Sequence, residues 1–280
     1  VYSENTNLST RSHANKWMDL ATAKQAVDFL FAHSLDNEMP AVGFYGGEPL
    51  LAFDLIKETV AYAKQVFAGR KLIFSITTNA TLMSDEVIDF LIANQFSITV
   101  SMDGPKRIQD KNRKFAGGNG SYDVLIANLA KLKARSKGKP VPFTLNMVID
   151  SNDDYEEIVS LFDLPLLRDV KINYTFIEED GIIRPVVNQD YLQAEYYNTF
   201  LGLVGYFRDQ QRNYPNKLVE YDMSILHSTL ERTSPIYLYG ESAPGGPCVP
   251  GKMRLFVDYK GSFFPCERVS ETSPCMEIGT

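Results

Sequence analysis

The chain is poor in the residues that most often build metal sites and disulfide frameworks: its 280 residues include three cysteines, three histidines and one tryptophan. An odd number of cysteines, all in the last part of a long chain, does not make a disulfide scaffold, which leaves ligand or buried-thiol roles. His13, His33 and His227 form no pair at helical metal-binding spacing, and the last two fall in or beside helical segments, where a structural or surface role is expected. A basic excess is also missing. The formal net charge is −7 and the Lys and Arg residues are scattered, which excludes a continuous phosphate-tracking stripe and with it a general nucleic-acid binder. The longest basic stretch, Lys106 to Lys114, carries Asp110 and reads as a solvated loop or a helix start. No apolar run reaches the roughly 20 residues of a membrane helix, and the residues from Val1 onwards lack the pattern of a secretion signal. No membrane partner is expected, and the protein is expected to be cytoplasmic.

What is present is ordinary globular material, 44% hydrophobic and 22% charged, enough for one α/β barrel or two smaller domains. Pattern favours the first. Apolar, β-rich runs at Ala41–Tyr45, Lys71–Thr77, Ser97–Ser101, Pro142–Val148 and Lys171–Phe176 alternate with helix-period segments at Leu50–Phe67, Ser84–Asn94, Tyr122–Ala134 and Tyr155–Phe162. This alternation builds parallel strands joined by crossover helices. A further helix, Ala21–Ala32, precedes the first strand, and the opening Val1–Asn15 is polar and irregular, so the chain is expected to begin inside a unit whose first strand lies upstream. After Phe176 an acidic turn leads into two long helical segments, Tyr191–Gln211 and Lys217–Arg232. The aromatic series Tyr191, Tyr196, Tyr197, Phe200, Tyr206 and Phe207 on the first of these is most simply helix packing, with a peptide-binding groove as the sharper alternative. A Pro- and Gly-rich loop, Ser242 to Gly251, then opens a small module in which Arg254–Tyr259 and Ser262–Phe264 form a hairpin around Lys260-Gly261.

Three motifs sit at successive strand ends. Gly46-Gly47-Glu48-Pro49 offers close backbone approach and a carboxylate that can pair with an ammonium group; alone, it is equally well a strand-to-helix turn with Pro at the helix start. Thr77-Thr78-Asn79-Ala80-Thr81-Leu82 supplies hydroxyl and amide groups, or else a helix-capping turn. Ser101-Met102-Asp103-Gly104-Pro105 ends the next strand. Their conjunction is more informative than any one of them, because the carboxyl ends of parallel strands converge on one face of a β/α fold.

In this order the motifs resemble the signatures of radical S-adenosylmethionine (radical SAM) enzymes that carry a SPASM-type C-terminal extension. The resemblance implies a partial (β/α) barrel of TIM type over residues 1–180, a helical connection over 181–240 and the beginning of an auxiliary-cluster module over 241–280. It implies S-adenosylmethionine as cofactor, its amino group held by Gly46, Gly47 and Glu48, its ribose and carboxylate met by Asn79 and Ser101, and Arg113 as a carboxylate partner suited by its bidentate fork. The family's defining loop, Cys-x3-Cys-x2-Cys, holds a 4Fe–4S cluster with one iron open to the cofactor. That loop is absent from the sequence and is expected upstream of residue 1, so the chain as written is not expected to carry out the radical step alone.

Cys248, Gly261 and Cys266 match the opening of a SPASM module, a cysteine followed after a dozen or so residues by Gly-x4-Cys, so an auxiliary 4Fe–4S cluster with Cys248, Cys266 and, less directly, Cys275 as ligands is implied; a pair of buried free thiols is the plainer alternative. The runs Cys248 to Val257 and Pro265 to Glu271 are similar to maturases of cysteine-rich ribosomal peptides, which link a peptide cysteine sulfur to a carbon of another residue. The expected partners are a cysteine-containing precursor peptide and an electron donor such as flavodoxin or ferredoxin. Sulfatase-maturing enzymes, which produce formylglycine, share the same motifs, and a catalytically silent peptide-binding relative is the non-enzymatic alternative.

Overall fold

The computed structural model describes residues 16–136, 143–177, 188–209, 213–232, 254–267, 269 and 273–280. Helix α1 (Leu20–His33) is followed by β1 (Ala41–Phe44), α2 (Phe53–Val66), β2 (Ile73–Thr78), α3 (Asp85–Ala93), β3 (Ser97–Ser101), α4 (Lys106–Asn112), α5 (Tyr122–Arg135), β4 (Phe143–Ile149), α6 (Tyr155–Ser160), β5 (Lys171–Phe176), α7 (Gln189–Val204), α8 (Lys217–Arg232) and the short strands β6 (Phe256–Val257) and β7 (Phe263–Phe264). Strands β1 to β5 form one open sheet in sequence order, and the pairings β3–β4 and β4–β5 are parallel. This is an α/β fold of partial-barrel type.

By contact density the chain divides into two compact units, with the boundary inside β2. The first holds residues 1–44, 49–75 and 238–280. There α1 packs on α2, with Val27, Ile56, Val60 and Ala63 all at or below 3% exposure. Asp19 caps α1 by accepting from the Thr22 amide at 2.7 Å. The hairpin β6–β7 turns at Gly261, whose φ of 93° is costly for a residue with a Cβ, and Phe263 meets Phe29 of α1 edge to face.

The second unit holds residues 45–48 and 76–237. On one sheet face Ile76, Ile98, Val100, Leu145, Met147 and Ile149 are essentially excluded from water. Val87, Ile88 and Leu91 of α3 and Leu125, Leu129 and Leu132 of α5 complete this core. The opposite positions, Thr99, Ser101, Thr144 and Asn146, are half-buried and polar. A parallel sheet covered on both faces would read as a continuous apolar run, so among the described residues this alternation separates an apolar, buried face from a polar, half-buried one. Register places Ser101 beside Asn146 and Asn146 beside Asn173 in one polar row.

The five expected strands and the helices between them are all present, with boundaries shifted by a few residues. The basic stretch, expected as a solvated loop or a helix start, forms α4 over Lys106–Asn112. The helix expected over Tyr191–Gln211 ends at Val204 and closes with a π-helical turn, Gly205–Asp209. Tyr191 is buried as helix packing requires, but Tyr196, Tyr197, Phe200 and Phe207 are 60–69% exposed. One helix buries one stripe, and α7 spends its stripe on Tyr191 and on Gly202, where an added Cβ would come within 2.3 Å of Val219 on α8. His33 stacks on Phe29, and His227 bonds the Tyr206 hydroxyl and faces Glu231, the structural roles expected for them; His13 lies outside the described residues.

Candidate functional site

Chain direction brings the three motifs to the carboxyl ends of β1, β2 and β3. Gly46 has φ of 147°, a conformation that side-chain-bearing residues rarely adopt, and a Cβ built on Gly46 or Gly47 would meet nothing within 4 Å. The backbone here turns sharply beside open space.

Glu48 is held firmly. Its carboxylate accepts from the Thr78 hydroxyl at 2.6 Å and from the Asn79 backbone N–H at 2.8 Å. Two hydrogen bonds, one to each oxygen, fix the side-chain direction. The turn that supplies them is itself constrained. Ala80 is fully buried at φ 58°, in the left-handed region that costs an L-residue roughly 1–2 kcal/mol. The Ala80 N–H donates to the Thr78 hydroxyl, Asn79 Oδ1 accepts from the Thr81 N–H and hydroxyl, and Asn128 of α5 donates to the carbonyls of Ala80 and Thr81. Strain of this kind persists where the surroundings over-determine it.

A second acidic corner lies past the end of β3. Asp103 is 1% exposed and accepts a bidentate fork from Arg113, at 2.6 Å from Nε and 2.9 Å from Nη2. The same carboxylate accepts from the Val148 N–H of β4 at 3.1 Å, past the point where the ladder ends at Met102 N–H to the Asn146 carbonyl. Gln109 accepts from the Asp103 N–H and donates to the Ser121 hydroxyl, which donates to the Arg113 carbonyl. Gly120 lets the Asp110 carboxylate pack against the backbone here, since a Cβ on residue 120 would displace it.

The structure thus joins Glu48 to Asn79, sets Arg113 against Asp103, and leaves Ser101 at the end of β3 in the polar row. Cys266 is half-buried just after β7, Cys275 is exposed, and Cys248 lies outside the described residues. Thr78, Asp103 and Asn128 hold this constellation together, and none of them stood out as individual site residues in the sequence; the buried-polar signal that marks them is visible only once the chain is folded.

A family model described as the Radical SAM superfamily matches residues 10–164, more than half of the chain. The chain belongs to the radical SAM superfamily. S-adenosylmethionine and a 4Fe–4S cluster are the cofactors of that family. A cysteine-type anaerobic sulfatase-maturating enzyme of Clostridium perfringens (strain 13 / Type A) is 34% identical over 235 residues, covering 80% of this chain and 58% of that one. An uncharacterized protein of Methanocaldococcus jannaschii, MJ0907, is 32% identical over 139 residues, covering 50% of this chain and 46% of its own. The chain therefore spans about half the length of these relatives. Among solved structures, native anSMEcpe with bound AdoMet superposes with a TM-score of 0.71 at 20% identity, over 98% of this chain and 71% of that one, which establishes the likeness of fold. Among the described residues no helix is long and apolar enough to cross a membrane.

The described residues fit one of the two family cofactors. A fixed carboxylate beside two unobstructed glycines suits the amino-acid end of S-adenosylmethionine. Among the described residues no group of three His, Cys, Asp or Glu side chains could hold a metal, so a 4Fe–4S cluster has no ligand set among them.

Proposed function

We propose that this chain is the cofactor-binding core of a radical SAM enzyme that modifies a cysteine-containing polypeptide. The observation that carries the reading is the Glu48 corner, a carboxylate locked by Thr78 and Asn79 over an open glycine turn. Bound S-adenosylmethionine supplies the family's radical chemistry. The chain's own residues bind and orient it: Glu48 accepts from its ammonium group, Gly46 and Gly47 let backbone approach, Asn79 and Ser101 offer polar groups to ribose and carboxylate, and Arg113 donates to the carboxylate. Segment 241–280 is read as the start of an auxiliary-cluster module with Cys248, Cys266 and Cys275 as ligands, following the 1–180 core and the 181–240 connection. Electrons would come from a donor such as flavodoxin or ferredoxin.

Two products fit this reading. Thioether formation, supported by the sequence around Cys248 and Cys266, joins a peptide sulfur to a carbon with loss of two hydrogen atoms. Formylglycine formation, supported by the sulfatase-maturating relatives, is a two-electron oxidation in which the cysteine sulfur leaves as sulfide and water supplies the carbonyl oxygen. Mass spectrometry of a cysteine-containing peptide after anaerobic turnover by the full-length enzyme separates them, since sulfur is retained in one product and lost in the other. Glu48→Gln should raise the Kd for S-adenosylmethionine by about tenfold or more, as expected for a charge-assisted hydrogen bond. Unchanged affinity by titration calorimetry would reduce Glu48 to a turn residue.

A further inference from the structure

We infer that Asp103 is a positioning residue for the cofactor carboxylate, acting through Arg113; this rests on the proposed role of Arg113 in binding S-adenosylmethionine. The geometry is specific. Asp103 grips the Nε/Nη2 edge of the guanidinium at 2.6 and 2.9 Å and is 1% exposed, and Arg113 is 15% exposed. A guanidinium is planar with five N–H donors, so one pinned along one edge presents its other edge in a fixed direction. Asp103 is in turn immobilised from two further sides, by the Val148 N–H of β4 and by Gln109, which accepts from its backbone N–H. Gln109 reaches the Arg113 carbonyl through Ser121, so side chain and backbone of the arginine are tied to one network.

Helix packing alone does not call for this arrangement. A surface arginine closing α4 needs no buried carboxylate, whereas a cationic group that must wait in place for an anionic ligand needs a counter-charge that holds it ordered in the meantime. Asp103 provides that counter-charge, so the ordering of Arg113 precedes binding instead of being charged against affinity. The expected consequence is selectivity for ligands bearing a carboxylate.

The test compares S-adenosylmethionine with its decarboxylated analogue, which keeps the sulfonium, the amine and the nucleoside. In reconstituted full-length protein under anaerobic conditions, Asp103→Asn should raise the Kd for S-adenosylmethionine about tenfold and change that of the analogue by less than about twofold, the difference being one charge-assisted contact. Equal weakening of both ligands would mean a structural lesion, no weakening would mean an idle ion pair, and either overturns the inference. If Asp103→Asn does not fold, Arg113→Lys reads the same point with Asp103 intact. A retained charge without the fork should lose the same carboxylate-specific affinity, and wild-type affinity in that variant overturns positioning. Arg113→Gln separates the levels: without effect, it removes the role of Arg113 and the inference with it, whereas a loss there alongside a silent Asp103→Asn sinks the positioning alone.

Discussion

Two acidic clusters in the second unit handle burial in opposite ways. Asp103 is nearly sealed from water, yet its carboxylate accepts a guanidinium fork and a backbone N–H. Asp222, on α8, is only half-buried and receives the Tyr174 hydroxyl at 2.8 Å on each carboxylate oxygen. Burial pushes its carboxyl up further than the tyrosine bond brings it down. Glu195 of α7 is pushed up by burial and then by Asp222, while Tyr191 keeps a buried hydroxyl without a hydrogen-bond partner among the described residues. Depth of burial therefore does not decide how a carboxylate is accommodated: Asp103 meets a cationic fork and a backbone N–H, Asp222 a neutral hydroxyl.

The largest effect expected from breaking this contrast is on the Asp103 side. Arg113→Met leaves a buried carboxylate without its counter-charge and should destabilise the protein by about 3–5 kcal/mol in urea unfolding. A loss below about 1 kcal/mol would mean that water reaches Asp103 and that the two clusters are alike. A smaller loss, about 1–2 kcal/mol, is expected for Ser121→Ala, which leaves the buried Gln109 amide without its acceptor.

The Asp222 cluster should respond with the opposite sign. A carboxyl whose folded pKa is raised binds its proton more tightly in the folded chain, so its contribution is complete below the unfolded value of 3.8 and is lost as pH rises through the folded value. Asp222→Asn keeps an acceptor for Tyr174 and removes the charge. The variant should match the parent at low pH and exceed it in stability above that window, in unfolding curves taken across pH. Equal stability of the two at every pH would mean that Asp222 is hydrated. The smallest effect is expected from Tyr191→Phe, which deletes the unpartnered hydroxyl and should be neutral or stabilising by up to about 1 kcal/mol. A clear loss would reveal a bonded partner for that hydroxyl.

Legibility in the sequence followed the range of the interactions. The strands of the main sheet were readable because their apolar runs and turn residues are local, and the hairpin because Lys260-Gly261 separates two short β-rich runs. Helix α4 is hard to read because its seven residues carry one aliphatic side chain, Ile108, and a run of charges; in the fold Ile108 and Gln109 are buried, and Arg107 and Lys111 pair with Glu157 and Asp150. For the aromatics of α7, helix packing holds for Tyr191 and not for the exposed Tyr196, Tyr197 and Phe200, because periodicity identifies faces without saying which face is covered.

By itself the sequence determined the alternation of strands and helices, the glycines at strand ends and the order of the three motifs, since these depend on backbone preferences and on neighbours a few residues apart. Tertiary structure alone decided that Thr78 lies against Glu48 from 30 positions away, that Asn128 reaches back 48 positions to hold the strained turn at Ala80, and that Asp103 meets Val148 from 45 positions away. A carboxylate or amide has no preferred partner in sequence. Its partner is set by which donors the packed elements leave unsatisfied beside it, and burial makes leaving them so expensive that the pairing becomes unique.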